Sequence, residues 1–385
     1  MDLPGIVCII LIIIALLYAG LILLLIVGWD STAQEKTRKI NSRNRIRASV
    51  IIPVRNEEKS ISSLLIALNQ QDYPCDFTEI IVVDDHSEDN TIAEVLGFQE
   101  KNPKCDMKII SLKVTDTMGK KAALKKGINA ATGELIIQTD ADCIPPPTWI
   151  SAMVSSYLHS NSVFISGPVL PTSSKNIFRQ FQALEYLSLA GSGGAAMQLG
   201  LPLMCSAANM AYSRKAFEES GGFSQREDLA TGDDVFLMQG FFKKYKNRLI
   251  FLKSTDAIVK TAGASSFREF FRQRTRWASK TRFYASFFPI ATALVVFLMS
   301  AAVLFSIFAA FVDDEYVLLM VYLFGLKFVL DGYFLMKVVS FFEQKKLMIP
   351  YPLFAIIYPL YIIISAPVSV FFGAPQWKGR NQVKI

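Results

Sequence analysis

The sequence predicts an α/β protein built on a parallel, Rossmann-like sheet and tied to a membrane by apolar helices at both ends of the chain. Two observations carry this. Long uncharged runs lie near the N-terminus and through the C-terminal quarter of a 385-residue chain that is 52% hydrophobic, more apolar than soluble proteins usually are. Between them, from Ala48 onward, short β-branched runs alternate with stretches of helical spacing, the pattern of strand–helix–strand units.

The first element, residues 5–28, carries no charge and is long enough to cross about 30 Å of hydrocarbon as a helix. It lacks the basic start and the small-residue cleavage site of a signal peptide, so it reads as an uncleaved anchor. Residues 287–312, 316–341 and 352–373 are further apolar runs, the last interrupted by Pro359 and Pro367 and therefore either a crossing or a re-entrant segment. Lys36, Arg38, Lys39, Arg43, Arg45 and Arg47 follow the first run, and Lys345 and Lys346 separate the third from the fourth. The positive-inside rule puts both loops, and residues 30–260 between them, in the cytoplasm. The expectation is a multi-pass protein of the cell (inner) membrane with a short basic tail, 374–385. Membrane topology accounts for the net charge of +7, and no nucleic-acid partner is expected. Five scattered cysteines without a C-x-x-C pair suggest neither a zinc site nor a disulfide framework.

Within the middle region Ala48–Val54, Glu79–Val83, Met107–Leu112 and Glu134–Gln138 read as buried parallel strands. Glu57–Asn69, Asn90–Phe98 and Lys120–Ala131 read as helices between them, with Asp89 or Asn90 as an N-cap. Phe178–Met204 holds Gly191, Gly193, Gly194 and Gly200 and a single acid, Glu185. It is too glycine-rich for a helix throughout and too apolar for a solvated loop, so it is expected either against the membrane or in a core. Residues 261–285 contain an amphipathic stretch dense in Arg and Phe, suited to a membrane interface. In the third apolar run Lys327 and Asp331 lie one helical turn apart, either as a pair facing other helices or as the lining of a headgroup path.

Ligands of open α/β sheets bind at the carboxyl ends of the strands. Three of the four strands run into acids there: Arg55-Asn56-Glu57-Glu58, Asp84-Asp85-His86 and Asp140-Ala141-Asp142. Clustered carboxylates repel, and a divalent cation with a hydrogen-bonding ligand would relieve the repulsion. Asp140 and Asp142 point the same way off an extended strand, since alternate residues share a face, which suits joint contact with a ribose and a diphosphate-bound metal. His86 and His159 are the two histidines and are given no catalytic role.

The strings Val50-Ile51-Ile52-Pro53-Val54-Arg55-Asn56-Glu57-Glu58 and Val82-Val83-Asp84-Asp85-His86-Ser87 resemble the opening of family 2 glycosyltransferases. Gly119-Lys120-Lys121-Ala122-Ala123-Leu124, Asp140-Ala141-Asp142 and Gly232-Asp233-Asp234 continue the resemblance in the family's order. Gln273-Arg274-Thr275-Arg276-Trp277 resembles the Q-x-x-R-W signature of its membrane-embedded members. The resemblance implies a GT-A fold, a nucleoside diphosphate sugar donor and Mg2+ or Mn2+. It implies a donor site at Pro53, Asn56, Glu57, Asp85, Lys120, Asp140 and Asp142, with Asp85 on the nucleobase and Asp142, beside Asp140, on the metal. It implies that Asp234 is the general base, with Asp233 where the family usually has Glu, and that Gln273, Arg276 and Trp277 meet the acceptor and diphosphate. The resulting expectation is an inverting transferase that moves a sugar from a UDP-sugar to a membrane lipid, similar to ceramide glucosyltransferases and related bacterial enzymes. A processive polysaccharide synthase is the alternative, usually with more spans; a transporter is a remote one.

Overall fold

The computed structural model describes residues 3–113, 118–172, 176–223, 233–280, 283–284, 286–371, 376–377 and 380–381. Gly232 and the basic residues of the tail other than Arg380 lie outside them. In chain order the elements begin with α1 (Leu3–Ser31), β1 (Ala48–Val54), α2 (Ile61–Asn69), β2 (Thr78–Asp84), α3 (Thr91–Lys101) and β3 (Met107–Ser111). They continue with α4 (Lys120–Ala130), β4 (Leu135–Gln138), β5 (Cys143–Ile144), α5 (Trp149–Ser160), β6 (Phe164–Ser166), β7 (Val169–Pro171) and α6 (Ile177–Gln198). Then come β8 (Met210–Ser213), α7 (Arg214–Glu219), α8 (Val235–Tyr245), β9 (Leu249–Phe251), β10 (Val259–Thr261) and α9 (Phe267–Ala278). The chain closes with α10 (Phe287–Val312), α11 (Val317–Phe341), α12 (Tyr351–Phe371), β11 (Gln376–Trp377) and β12 (Arg380–Asn381). These elements fall into two units. One holds the sheets with α2–α5, α7 and α8; the other holds α1, α6 and α9–α12.

The sheet unit is organised by a seven-stranded sheet of order β3-β2-β1-β4-β8-β6-β9. The strands β1 to β4 are mutually parallel, with Val54 opposite Asp84 and Ile51 opposite Gln138. Strands β1, β2 and β4 are rich in Ile, Val and Leu and buried on both faces, and α4 packs on β1 and β2; β3, expected to be buried as well, is the edge strand and buries only Met107. Strand β8 then enters antiparallel to both β4 and β6, so the purely parallel pattern ends where the alternation of the sequence ends. The order turns back between β1 and β4. That is the switch point at which open α/β sheets bind ligands. Strands β5, β10 and β7 form a smaller sheet. Buried Asn209 ties it in, accepting from Trp149 Nε1 at 2.8 Å and donating to Pro168 O and Ala257 O.

Helix α2 starts four residues later than its periodicity suggests. Asn56 sits at φ 52°, and the amides of Glu57 and Glu58 donate to Thr91 Oγ1 and Asp89 Oδ2 instead of opening a helix. The carboxylate of Asp89 also accepts from the Thr91 amide at 3.0 Å, so Asp89 rather than Asn90 satisfies the start of α3. At the amino ends of the strands lies a carboxylate with a structural role. Fully buried Glu79 accepts from Ser49 Oγ, the amides of Thr132 and Gly133, and Lys108 Nζ at 2.8 Å. Burial alone would raise its pKa, but Lys108, Ser49 and Thr132 more than reverse that and hold it at about 2.

The second unit contains four helices long and apolar enough to cross a membrane: Gly5–Ser31, Phe287–Val312, Asp314–Phe341 and Tyr351–Val368. Helix α12 is unbroken through Pro359 and Pro367. Lys327 is buried and pairs with Asp331 at 2.6 Å, while Tyr18 of α1 donates to the same carboxylate and accepts from Lys327. The charges thus close on each other and on a neighbouring helix, the first of the two arrangements expected for them. Against the expectation from its glycines, residues 177–198 form one continuous helix, α6. A Cβ on Gly191 would come within 2.5 Å of Val338 and 3.4 Å of Phe334. Close approach to α11 is therefore what this glycine serves, and packing outweighs its poor helix propensity.

Candidate active site

The carboxyl ends of β1, β2 and β4 bring the predicted acids to one edge of the sheet unit. At the end of β1, Pro53 pairs in register with Val83 and is buried. Its lack of an N–H is unusual for a central strand. Buried Arg55 donates through Nη1 to Asp85 O at 2.9 Å and His86 O at 3.0 Å, which straps the loop after β2 to that after β1. Asn56 accepts from the Glu88 amide at 2.8 Å and its own amide donates to Ser87 Oγ. Glu57 accepts from Ser60 Oγ at 2.7 Å.

Asp85 is fully buried, with His86 Nδ1 at 3.0 Å from one oxygen and the Gly119 amide donating to the other at 3.1 Å. Gly119 has φ 111°, a conformation that L side chains rarely adopt. It lets the chain present that amide immediately before α4. His86, expected to have no catalytic role, bridges Asp85 to Lys113 O at 3.2 Å. Together Arg55 and His86 form the scaffold of this edge that motif reading missed. The signal available for them was position alone, directly after a strand.

Asp140 and Asp142 are not on an extended strand. Strand β4 ends at Gln138 and the Cys143 amide returns to Asp140 O at 3.1 Å, so the triplet is a turn. The argument from alternating strand faces does not hold, but the two carboxylates remain neighbours. The Asp142 carboxyl is pushed up to about 6, first by withdrawal from water and then by the charges of Asp140 and Glu57. Because Asp142 is itself exposed, the mutual repulsion is the firmer of these causes.

Lys120, at the start of α4, joins the motifs. Its ammonium lies 2.6 Å from Asp140 and 3.3 Å from Asp233. Burial would lower its pKa, but Asp140, Asp233 and Asp234 more than reverse this and hold the ammonium charged far above neutrality. Asp233 also accepts from Gln138 Nε2, and Tyr212 donates to the Gln138 carbonyl, both at 3.3 Å. The two consecutive acids are thereby distinguished. Asp233 is buried in a network of polar partners. Asp234 is half-exposed, is the N-cap of α8 and accepts from the Val235 amide at 2.8 Å.

The chemistry of the donor set suits a hard divalent cation. Among the described residues no three His, Cys, Asp or Glu side chains are grouped as a complete ligand set. Mg2+-like ions, however, are commonly held by one or two carboxylates with the rest of the shell from water and phosphate. The repelling pair Asp140 and Asp142 meets that requirement.

In the helical unit Gln273, Arg276 and Trp277 are half-buried on α9. Trp277 meets Tyr186 edge-on with ring centroids 5.9 Å apart, and Gln273 accepts from Arg274 Nη1 at 2.6 Å.

The family model described as Glycosyl transferase family 2 matches residues 49–221, the span that holds β1 to β8 and the acidic edge up to Asp142. This stretch of the chain is similar to glycosyl transferase family 2. It is 27% identical over 269 residues to "Probable glycosyltransferase YdaM" of Bacillus subtilis, covering 67% of this chain and 61% of that protein. It is 35% identical over 112 residues to an "Undecaprenyl-phosphate 4-deoxy-4-formamido-L-arabinose transferase" of Serratia proteamaculans, covering 28% of this chain and 32% of that one. The chain thus spans less than two thirds of the length of each of these two relatives. A mannosyltransferase from Pyrobaculum calidifontis, solved in complex with GDP-Man and Mn2+, superposes with a TM-score of 0.57 at 19% identity, covering 95% of this chain and 99% of its own. The chain has the GT-A fold.

Proposed function

We propose that the protein is an inverting glycosyltransferase that moves a sugar from a nucleoside diphosphate donor, a UDP-sugar, to a lipid held in the membrane. The observation that carries this is the pairing of Lys120 with both Asp140 and Asp233, which joins the predicted donor motif and the predicted base motif at one edge of the sheet. Pro53, Asn56, Glu57 and Asp85 line the nucleotide part of the site. The scaffold around Arg55 and His86 fixes that part before the donor arrives. Asp142, with Asp140, holds the divalent cation, which when bound supplies positive charge to the departing diphosphate.

In the transfer the bond from the anomeric carbon to the diphosphate oxygen breaks and a bond to the acceptor oxygen forms. The acceptor proton passes to Asp234. Asp234 suits this role because it is open to solvent, whereas Asp233 is engaged by Lys120 and Gln138. Gln273, Arg276 and Trp277 serve the acceptor and the diphosphate. The sheet unit faces the cytoplasm, in accord with the basic residues that follow α1 and precede α12.

The naming of one relative for undecaprenyl phosphate favours a second reading of the acceptor. A phosphate oxygen brings no proton that must be removed, so Asp234 would then be dispensable as a base. One experiment separates the readings. The full-length protein in lipid nanodiscs is incubated with radiolabelled UDP- and GDP-sugars and either neutral lipids bearing a free hydroxyl or undecaprenyl phosphate. Labelling of the hydroxyl lipid from a UDP-sugar supports the first reading. Labelling of undecaprenyl phosphate alone replaces it with the second, and labelling from GDP-sugars alone overturns the choice of donor.

A further inference from the structure

Helix α9 carries four arginines, and they do not behave alike. Arg268, Arg272 and Arg276 recur at every fourth position and are exposed or half-exposed. Arg274, inside the Q-x-x-R-W string but not one of its named residues, points the other way and is only 7% exposed. Its guanidinium grips Glu185 of α6 through Nε and Nη2, with contacts of 2.9, 2.9 and 2.5 Å. Glu185 is the single acid of the glycine-rich apolar stretch. The same guanidinium lies over the Phe270 ring at 4.6 Å and over the Trp277 ring at 4.3 Å, and it donates to Gln273 Oε1 at 2.6 Å. Two of the three signature side chains therefore rest directly on Arg274. One helical turn earlier on α6, buried Gln182 exchanges both amide hydrogen bonds with the backbone of Ala264, at 3.1 and 2.9 Å, just ahead of α9.

A buried ion pair is a poor way to gain stability. Desolvation offsets much of its attraction, and well-packed apolar residues often do as well or better. What such a pair supplies is direction. A guanidinium forks to a carboxylate in one plane and stacks its faces on aromatic rings, which a lysine cannot reproduce. We propose that Glu185 and Arg274 are positioning residues that fix the roll of α9 about its axis and so hold Gln273 and Trp277 in the attitude that transfer to the acceptor requires. The functional half of this rests on the acceptor role proposed above for the signature. The geometric half does not.

The test compares the full-length protein in nanodiscs with the double variant Glu185→Leu/Arg274→Met, with Arg274→Lys and with Trp277→Ala. The double variant removes both charges at once and leaves none unpaired, so its melting temperature is expected to stay near that of the parent. Amide hydrogen exchange over residues 267–278 is expected to rise in the double variant and in Arg274→Lys. Calorimetric affinity for UDP with Mn2+ is expected to fall much less than transfer, because most of the proposed donor site lies on the sheet edge. Transfer of label from the donor sugar to lipid acceptor is expected to fall by roughly 10- to 100-fold, the scale of a small misplacement of a reacting group. Should the double variant fail to fold, Arg274→Lys gives the same readouts with the charge kept. Unchanged exchange over 267–278 in a variant that lacks the pair overturns the proposal. So does normal transfer by that variant when Trp277→Ala is impaired. Full transfer by Trp277→Ala instead rejects the acceptor role of the signature, and hydrogen exchange then decides the positioning of the helix alone.

Discussion

Replacing Asp234 with Asn keeps the shape of the side chain and removes its capacity to take a proton. Asn caps a helix about as well as Asp, and the bond from the Val235 amide to Asp234 Oδ1 at 2.8 Å can be kept by the Asn carbonyl. Stability should therefore change by less than about 0.5 kcal/mol. Turnover should fall by roughly 10²–10⁴, which is about 2.7–5.4 kcal/mol in the barrier. Asp233→Asn should give the reverse profile. It takes a charge from a buried network in which Lys120 sits 3.3 Å away. Breaking one partner of a buried pair costs on the order of 3–5 kcal/mol. Lys120 keeps Asp140 at 2.6 Å, so about 2 kcal/mol is the expected loss, below that range. The assay is a steady-state rate with a hydroxyl lipid acceptor beside a melting curve for each variant. A variant Asp234→Asn with normal turnover, together with a stable but inactive Asp233→Asn, would refute the assignment of the base. Loss of UDP affinity in both variants would mean that the pair serves the nucleotide instead.

Three further outcomes follow from the same geometry. Asp142→Asn removes one of three repelling carboxylates, so the protein without added cation should melt higher at pH 7–8 while Mn2+ no longer raises its melting temperature in the presence of UDP; a retained Mn2+ shift would count against Asp142 as a ligand. Glu79, held at about 2, contributes stability that is full above the ordinary carboxylate range and is lost as pH falls towards 2, so Glu79→Gln should cost on the order of 2 kcal/mol at pH 7 and progressively less in acid; a gap that does not narrow on acidification would dismiss this. Gly191→Ala places a methyl against Val338 and should destabilise the helical unit by about 1–3 kcal/mol, read as a lower melting temperature in nanodiscs, and an unchanged value would show that α6 and α11 are not tightly apposed.

How legible this molecule is in its sequence varies with the range of the interaction that decides each feature. The strand Ala48–Val54 and the helix Phe287–Val312 can be read from the sequence pattern almost to the residue. The residues that define them also cover or fill the neighbouring layer, so pattern and burial agree. Parallel order among the first four strands follows from the same alternation, and with it the gathering of Asp85, Asp140 and Asp142 at one edge.

The sequence by itself thus determined the fold class, the apolar helices and the edge of the sheet at which acids collect, because each is set by a local period or by strand direction. It could not determine that Asp140 and Asp142 occupy a turn, that His86 bridges Asp85 to Lys113, or that α6 is helical through its glycines. Only the family resemblance separates Asp233 from Asp234 in the sequence, because they are adjacent in the chain and identical in chemistry. The tertiary structure gives them different surroundings, by bringing Lys120 and Gln138 to Asp233 and leaving Asp234 half-exposed. The pairing of Glu185 with Arg274 is of the same kind. Partners 89 residues apart carry no shared period, and their meeting is fixed by how two helices pack rather than by any pattern in either.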